Sequence, residues 1–235
     1  MKWLSNASID ALGDSLMRKY MGSKAKSPLS VDIEGFVRDY LKLPVVYHRF
    51  AENDATKLGF ISDGRTPLNI FFGNSIIQKV FPKGTIVIEE YLMNKSETGR
   101  RRFTIAHEAA HYIMDRSLAT ASFHREFDNE KKYSPDELKA TFNIAESNVD
   151  RLAAALLMPE FMIRNYLKQS KREYGIFIYD DGFIRPEDNC FLQMMAVDIG
   201  TSVTALLIRI KELGLYVRKS MNEYIAELGI RGEPI

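Results

Sequence analysis

Thr104-Ile105-Ala106-His107-Glu108-Ala109-Ala110-His111 is the stretch on which the reading of this chain turns. It lies within an apolar stripe of Phe103, Ala106, Ala110, Ile113 and Met114, whose spacing predicts a helix between Arg100 and Asp115. Positions i and i+4 of a helix are offset by only about 40° and one turn, so the imidazoles of His107 and His111 can reach one ion. Zinc (Zn2+) takes neutral imidazole nitrogen, and a catalytic site keeps three protein ligands and one open position for water. Glu108 sits between the histidines, beside such an ion without ligating it, and is placed to take a proton from zinc-bound water. The competing reading, two histidines packed in a core, gives Glu108 nothing to do.

A catalytic zinc needs a third ligand. The metzincin spacing would require a glycine at Met114 and a histidine at Ser117, so that arrangement is excluded. A carboxylate from a neighbouring helix is the other solution. Ser134-Pro135-Asp136-Glu137 predicts a helix start, with serine as cap, proline in the first turn and Glu137 closing a capping box. That helix is expected to run to Leu157, because Met158-Pro159 stops it. Glu146, Asp150, Ala153 and Leu157 then share one face. Two acids one turn apart, on a face that becomes alanine and leucine, are unlike a solvated surface. Glu146 is the expected third ligand, and Asp150 the expected acceptor for the second ring N–H of a ligand histidine. Ala109, Ala110, Ala153 and Ala154 would let the two helices approach closely. The alternative is an amphipathic helix whose acids face water.

The rest of the chain follows from this pair. Upstream, Ile9, Leu12, Leu16 and Met17 predict a helix over 8–21, and Gly22 to Pro28 a break. Val31, Phe36, Val37, Tyr40 and Leu41 predict a second helix ending at Pro44. Short apolar runs separated by Gly, Pro, Asp and Asn from Val45 to Ile88 read as strands. Downstream, Arg116 to Tyr133 is polar and reads as a long loop or short helix, and a short helix is expected over 160–168. Gly175 to Tyr179 followed by Asp180-Asp181-Gly182 predicts a hairpin. Two further helices are expected, at about 191–197 and 203–213. Strands early and helices late make this an α+β protein.

Composition sets outer limits. In 235 residues, 46% hydrophobic and 27% charged residues exclude a disordered or fibrous chain. With 32 Lys+Arg against 31 Asp+Glu, the net charge of +1 does not indicate a strongly basic nucleic-acid binder. One cysteine, Cys190, excludes an internal disulfide, and no apolar run reaches the ~18 residues of a membrane span. Met1 to Tyr20 lacks a signal-peptide apolar core, so a cytoplasmic location is expected.

Arg102-Phe103-Thr104-Ile105-Ala106-His107-Glu108-Ala109-Ala110-His111, with Glu146 to Asp150 and Arg151-Leu152-Ala153-Ala154-Ala155-Leu156-Leu157-Met158-Pro159, resembles the ImmA/IrrE family of bacterial zinc metallopeptidases. That family shows an R-F-T-x-A-H-E-x-x-H helix and later an E-x-x-A-[N/D]-x-F-A-A-x-L-L-M-P helix that supplies the third zinc ligand. Val31 to Glu34, Pro44-Val45 and Gly84 to Glu89 are also similar to its N-terminal region. The chain departs at Val149, where alanine is usual, and at Leu152, where phenylalanine is usual; both keep an apolar contact. The resemblance covers roughly residues 28 to 168. It implies a zincin-like domain with a small antiparallel sheet and helical core. It also implies a cytoplasmic regulator, tied to mobile elements or stress responses, that cleaves a helix-turn-helix repressor. The expected organisation is an N-terminal helical extension (1–27), a metallopeptidase domain (28–168), and a C-terminal hairpin with a helix-turn-helix-like region (169–235).

Other residues carry weaker signals. His124 and Tyr112 are candidates for a second electrophile, although Tyr112 beside His111 is expected to pack, His124 to lie on a loop, and His48 to end a strand. Arg100-Arg101-Arg102 opens the metal helix against its dipole, which fits a contact with an acidic substrate segment, internal carboxylates or a solvated turn. Residues 196–215 read as helix, tight turn, Ser202 cap, helix and Gly214. Five basic residues (Arg209, Lys211, Arg218, Lys219, Arg231) against four acidic ones (Glu212, Glu223, Glu227, Glu233) make this a weak DNA-binding footprint, so protein packing or binding is favoured. The leading reading is a zinc endopeptidase. A non-proteolytic regulator that binds a repressor or DNA is the alternative; a housekeeping peptidase is disfavoured for want of a substrate-trimming domain.

Overall fold

The computed structural model describes residues 5–22, 29–52, 57–114, 122–125 and 144–228. The fold is α+β, and contacts divide it into two units. The first combines helix α1 (Asn6–Met21) with Val31–Pro159, and the second joins Leu29-Ser30 to the chain from Glu160 onward.

In the first unit α1 starts where Ser5 accepts from Ser8 N at 3.2 Å, and it stops at Gly22, whose φ of 53° suits glycine. The second predicted helix is one α turn, α2 (Ile33–Gly35), which widens into a π turn over Phe36–Tyr40. Phe36 is fully buried there, stacked on Tyr40 with ring centroids 5.3 Å apart. The strand region resolves into β1 (Val45–His48), β2 (Lys57–Ile61), β3 (Leu68–Phe72), β4 (Ser75–Lys79) and β5 (Ile86–Glu89). Beyond the long helix α3 (Thr98–Met114) comes β6 (Ser122–Arg125). The main sheet has the order β1-β5-β2-β6, and β3 and β4 form a separate hairpin. This sheet is mixed rather than wholly antiparallel, since β1 and β5 run parallel. Phe60, Leu68, Ile70, Phe81 and Val87 form a core cluster that joins the sheet to the hairpin.

The polar stretch expected to be loop or short helix therefore contains an edge strand. Its partner, β2, lies some 60 residues earlier, so the pairing is set by distant backbone groups and leaves no local pattern to read. Helix α4 (Ile144–Leu157) covers the described part of the predicted capped helix; the start expected at Ser134 lies outside the described residues. α4 packs against both α3 and α1.

The second unit contains α5 (Glu160–Gln169), β7 (Ile176–Tyr179), α6 (Pro186–Ile199), α7 (Val203–Glu212), β8 (Tyr216–Lys219) and α8 (Met221–Glu227). The hairpin expected after Gly175 is not formed. Asp180–Gly182 is a single 3-10 turn leading into α6, and β7 pairs in parallel with β8. Parallel strands need a crossover, which α6 and α7 supply. α6 and α7 are bent by 100° across Gly200-Thr201-Ser202, with Gly200 left-handed and Ser202 accepting from Ala205 N at 3.1 Å. This is helix-turn-helix geometry. No single helix among the described residues is long and apolar enough to cross a membrane.

The α1–α4 contact depends on Gly13. A Cβ there would lie 2.6 Å from Ala155 Cβ and 3.2 Å from the Ala155 carbonyl carbon, neither of which can swing away. Gly13→Val is expected to cost about 1–3 kcal/mol, as overpacking does, read as a lower urea midpoint at unchanged slope.

Candidate metal centre

α3 is buried all round over two turns, and Thr104, Ala106, Glu108, Ala109 and Ala110 are all 0% exposed. Within this stretch His107 is 3% exposed, and its Nδ1–H donates to Asp150 Oδ1 at 2.8 Å. The bond fixes the tautomer and leaves Nε2 aimed at His111, whose own Nε2 is 3.0 Å away. Glu146 Oε2, one turn before Asp150 on α4, lies 3.6 Å from His107 Nε2 and 3.5 Å from His111 Nε2. Two imidazole nitrogens and one carboxylate oxygen thus make a triangle with edges of 3.0, 3.5 and 3.6 Å. Ligands arranged tetrahedrally at ~2.0–2.1 Å from zinc stand ~3.3 Å apart, so the triangle has the size and donor chemistry of such a site. It is the one such three-residue group found among the described residues.

The electrostatics favour a cation at the centre. Burial opposes charging His107, yet the Asp150 and Glu146 carboxylates outweigh it and lift its pKa to about 9. Reciprocally, the His107 and His111 imidazoles hold the Glu146 carboxyl well below its usual range. Burial falls from Glu108 at 0% to Glu146, whose side chain is 44% exposed, so the cluster opens to solvent on the Glu146 side.

Glu108 lies against β2. A Cβ on Gly59 would stand 2.6 Å from Thr104 Cγ2 and 2.7 Å from Glu108 Oε1, so only glycine lets the glutamate occupy this position. Sequence reasoning passed over Gly59. The available signal was a glycine inside a strand, which marks close approach by another element.

The remaining candidates are placed as follows. His124 stands opposite Gly59 in the β2–β6 ladder, and its side chain lies outside the described residues. Tyr112 is half-buried on α3. His48 is the last residue of β1, its ring 5.3 Å from that of Phe81. Arg100 pairs with Glu97 at 2.9 Å, and Arg102 donates to the Val31 carbonyl at 2.7 Å, so both serve the protein itself.

An α+β domain with a histidine pair on one helix, a carboxylate on the next and a buried glutamate between the histidines defines a zincin-like, metallopeptidase-type domain. The model of the IrrE N-terminal-like domain (Peptidase M78) matches residues 38–178, more than half of the 235-residue chain. The chain belongs to that family. No curated protein matches it.

Asp150→Asn keeps the shape of the residue and removes the charge that orients His107. It is expected to lower divalent-metal affinity 10–100-fold, measured by cobalt titration of the purified protein.

Proposed function

We propose that this protein is a zinc-dependent endopeptidase acting on a regulatory protein. The observation that carries the proposal is the His107–His111–Glu146 triangle with the fully buried Glu108 seated beside it. His107, His111 and Glu146 would hold the ion, which when bound supplies Lewis acidity toward water and the scissile carbonyl. Glu108 takes the proton of the attacking water and later delivers it to the leaving amine nitrogen, which completes the hydrolysis of the amide. Gly59 leaves the room in which this carboxylate sits, and Thr104 borders it. Asp150 holds the His107 ring in the orientation that presents Nε2.

The substrate class follows from the family resemblance: a helix-turn-helix repressor, cleaved to change transcription. The second unit supports protein recognition over DNA recognition. Arg209 on α7 is only 1% exposed, which leaves Lys211 as the exposed cation of that helix, next to the exposed Glu212. Met194, Val197 and Ile208 are exposed apolar residues on α6 and α7, a surface chemistry that suits a protein better than phosphates.

The test uses zinc-loaded protein, repressors encoded beside its gene, and mass spectrometry of the products. Glu108→Gln is expected to keep about one zinc per chain by elemental analysis and to lose cleavage by about 10²–10⁴-fold. Glu146→Ala is expected to lose the zinc. Full cleavage by Glu108→Gln would remove Glu108 as the base. A wild type that takes up no zinc after reconstitution would sink the peptidase and leave the binding protein.

A further inference from the structure

The family match begins at residue 38, so α1 lies wholly outside it. Yet α1 lies along α4, the helix that carries Glu146 and Asp150, and joins it through a polar link in a buried setting. Arg151 Nη2 donates to Asp10 Oδ2 at 2.5 Å and Nε donates to the same oxygen at 3.2 Å. The side chains are 12% and 10% exposed. One turn further along, Gly13 meets Ala155, so the 10/13 face of α1 is seated on the 151/155 face of α4. Ile9 and Met17, both 0% exposed, flank the contact.

Asp150 and Arg151 are adjacent, about 100° apart around the helix axis. One binds His107 on α3 and the other binds Asp10 on α1, so α4 is held in two different directions. Two directed bonds at consecutive residues fix the rotation of a helix more tightly than apolar packing, which tolerates sliding. Glu146 rides on that rotation one turn earlier. A twist of α4 by a few tens of degrees would carry its carboxylate away from the two Nε2 atoms.

We propose that Asp10 and Arg151 are positioning residues for the metal centre. The Asp10–Arg151 link pins the rotation of α4 so that Glu146 and Asp150 face the two histidines, which makes α1 part of the catalytic domain. This rests on the metal reading of His107, His111 and Glu146.

The test is cobalt binding to the full chain, with affinity from titration and site geometry from the visible absorption of the bound ion. A second readout, independent of metal, is the NMR resonance of the His107 Nδ1–H that Asp150 holds. Asp10→Asn and Arg151→Gln are each expected to weaken cobalt binding by about tenfold and to alter its spectrum and the His107 resonance. The double variant should add little to either single one, because both break the same link. The exchanged pair, Asp10→Arg with Arg151→Asp, should recover part of the loss. Ile9→Val, which loosens α1 by a methyl group without touching the link, should lower thermal stability and leave cobalt binding unchanged.

The proposal is overturned if the Asp10 and Arg151 variants melt earlier yet bind cobalt with wild-type affinity and spectrum. It is overturned equally if Ile9→Val weakens cobalt as much as Asp10→Asn. A wild type that binds no cobalt overturns the metal reading instead. The His107 resonance then decides the pin alone: moved in Asp10→Asn it stands, unmoved it falls.

Discussion

The hydrogen bond from His107 to Asp150 is the constraint around which the first unit is organised. It crosses from α3 to α4, and it can form only if the two helices come close. Small side chains permit that approach: Ala110, one turn from His107 on α3, and Ala153, one turn from Asp150 on α4, are both fully buried. A bulkier residue at this seam would separate the helices and the donor triangle together. The bond sets the His107 tautomer, which sends Nε2 toward His111, and it sets the azimuth of α4, which sends Glu146 to the same point. Ring orientation follows from this contact, and the cation preference draws on Asp150 and Glu146 together.

The sheet supplies the floor for that arrangement. β2 runs beneath α3, and its Gly59 leaves the space that the Glu108 side chain fills. Glu108 is 0% exposed there, held away from bulk solvent beside the donor triangle. The second unit is organised by a different polar network. Asp188, 0% exposed, accepts from Arg172 and from Arg185, the latter at 2.9 Å, which ties α6 to the segments flanking β7. That network leaves Arg172 over the Phe191 ring and Arg185 over Phe177, so these two arginines are spent on internal contacts.

Much of this was legible in the residues. The His-Glu-x-x-His spacing carries a geometric consequence of the helix itself, so the grouping of His107 and His111 needed no tertiary information. The Glu146/Asp150 face was legible because polar residues broke an otherwise apolar stripe. The turn between α6 and α7 was legible through Gly200 and Ser202, which have specific backbone and capping roles. Where the reading went astray, long-range pairing was at work. The run Ile176 to Tyr179 with its Asp-Asp-Gly turn has local hairpin chemistry, but its partner is Tyr216–Lys219, forty residues on. The strand Ser122–Arg125 lies in a polar stretch because its backbone pairs with Lys57–Ile61, far earlier in the chain, and no local pattern marks it.

By itself, then, the sequence determined the local frame: which segments coil, where they are capped, and which side chains share a helical face. These depend on contacts within about four residues, and a 3.6-residue period exposes them directly. Only the tertiary structure decided the rest. It chose β8 for β7 and β2 for β6. It put Gly59 under Glu108, and it set Asp10 against Arg151 across 141 positions of chain. Each of these joins groups far apart in sequence, and each is selected by packing and by the need to satisfy buried polar atoms, which no local pattern records.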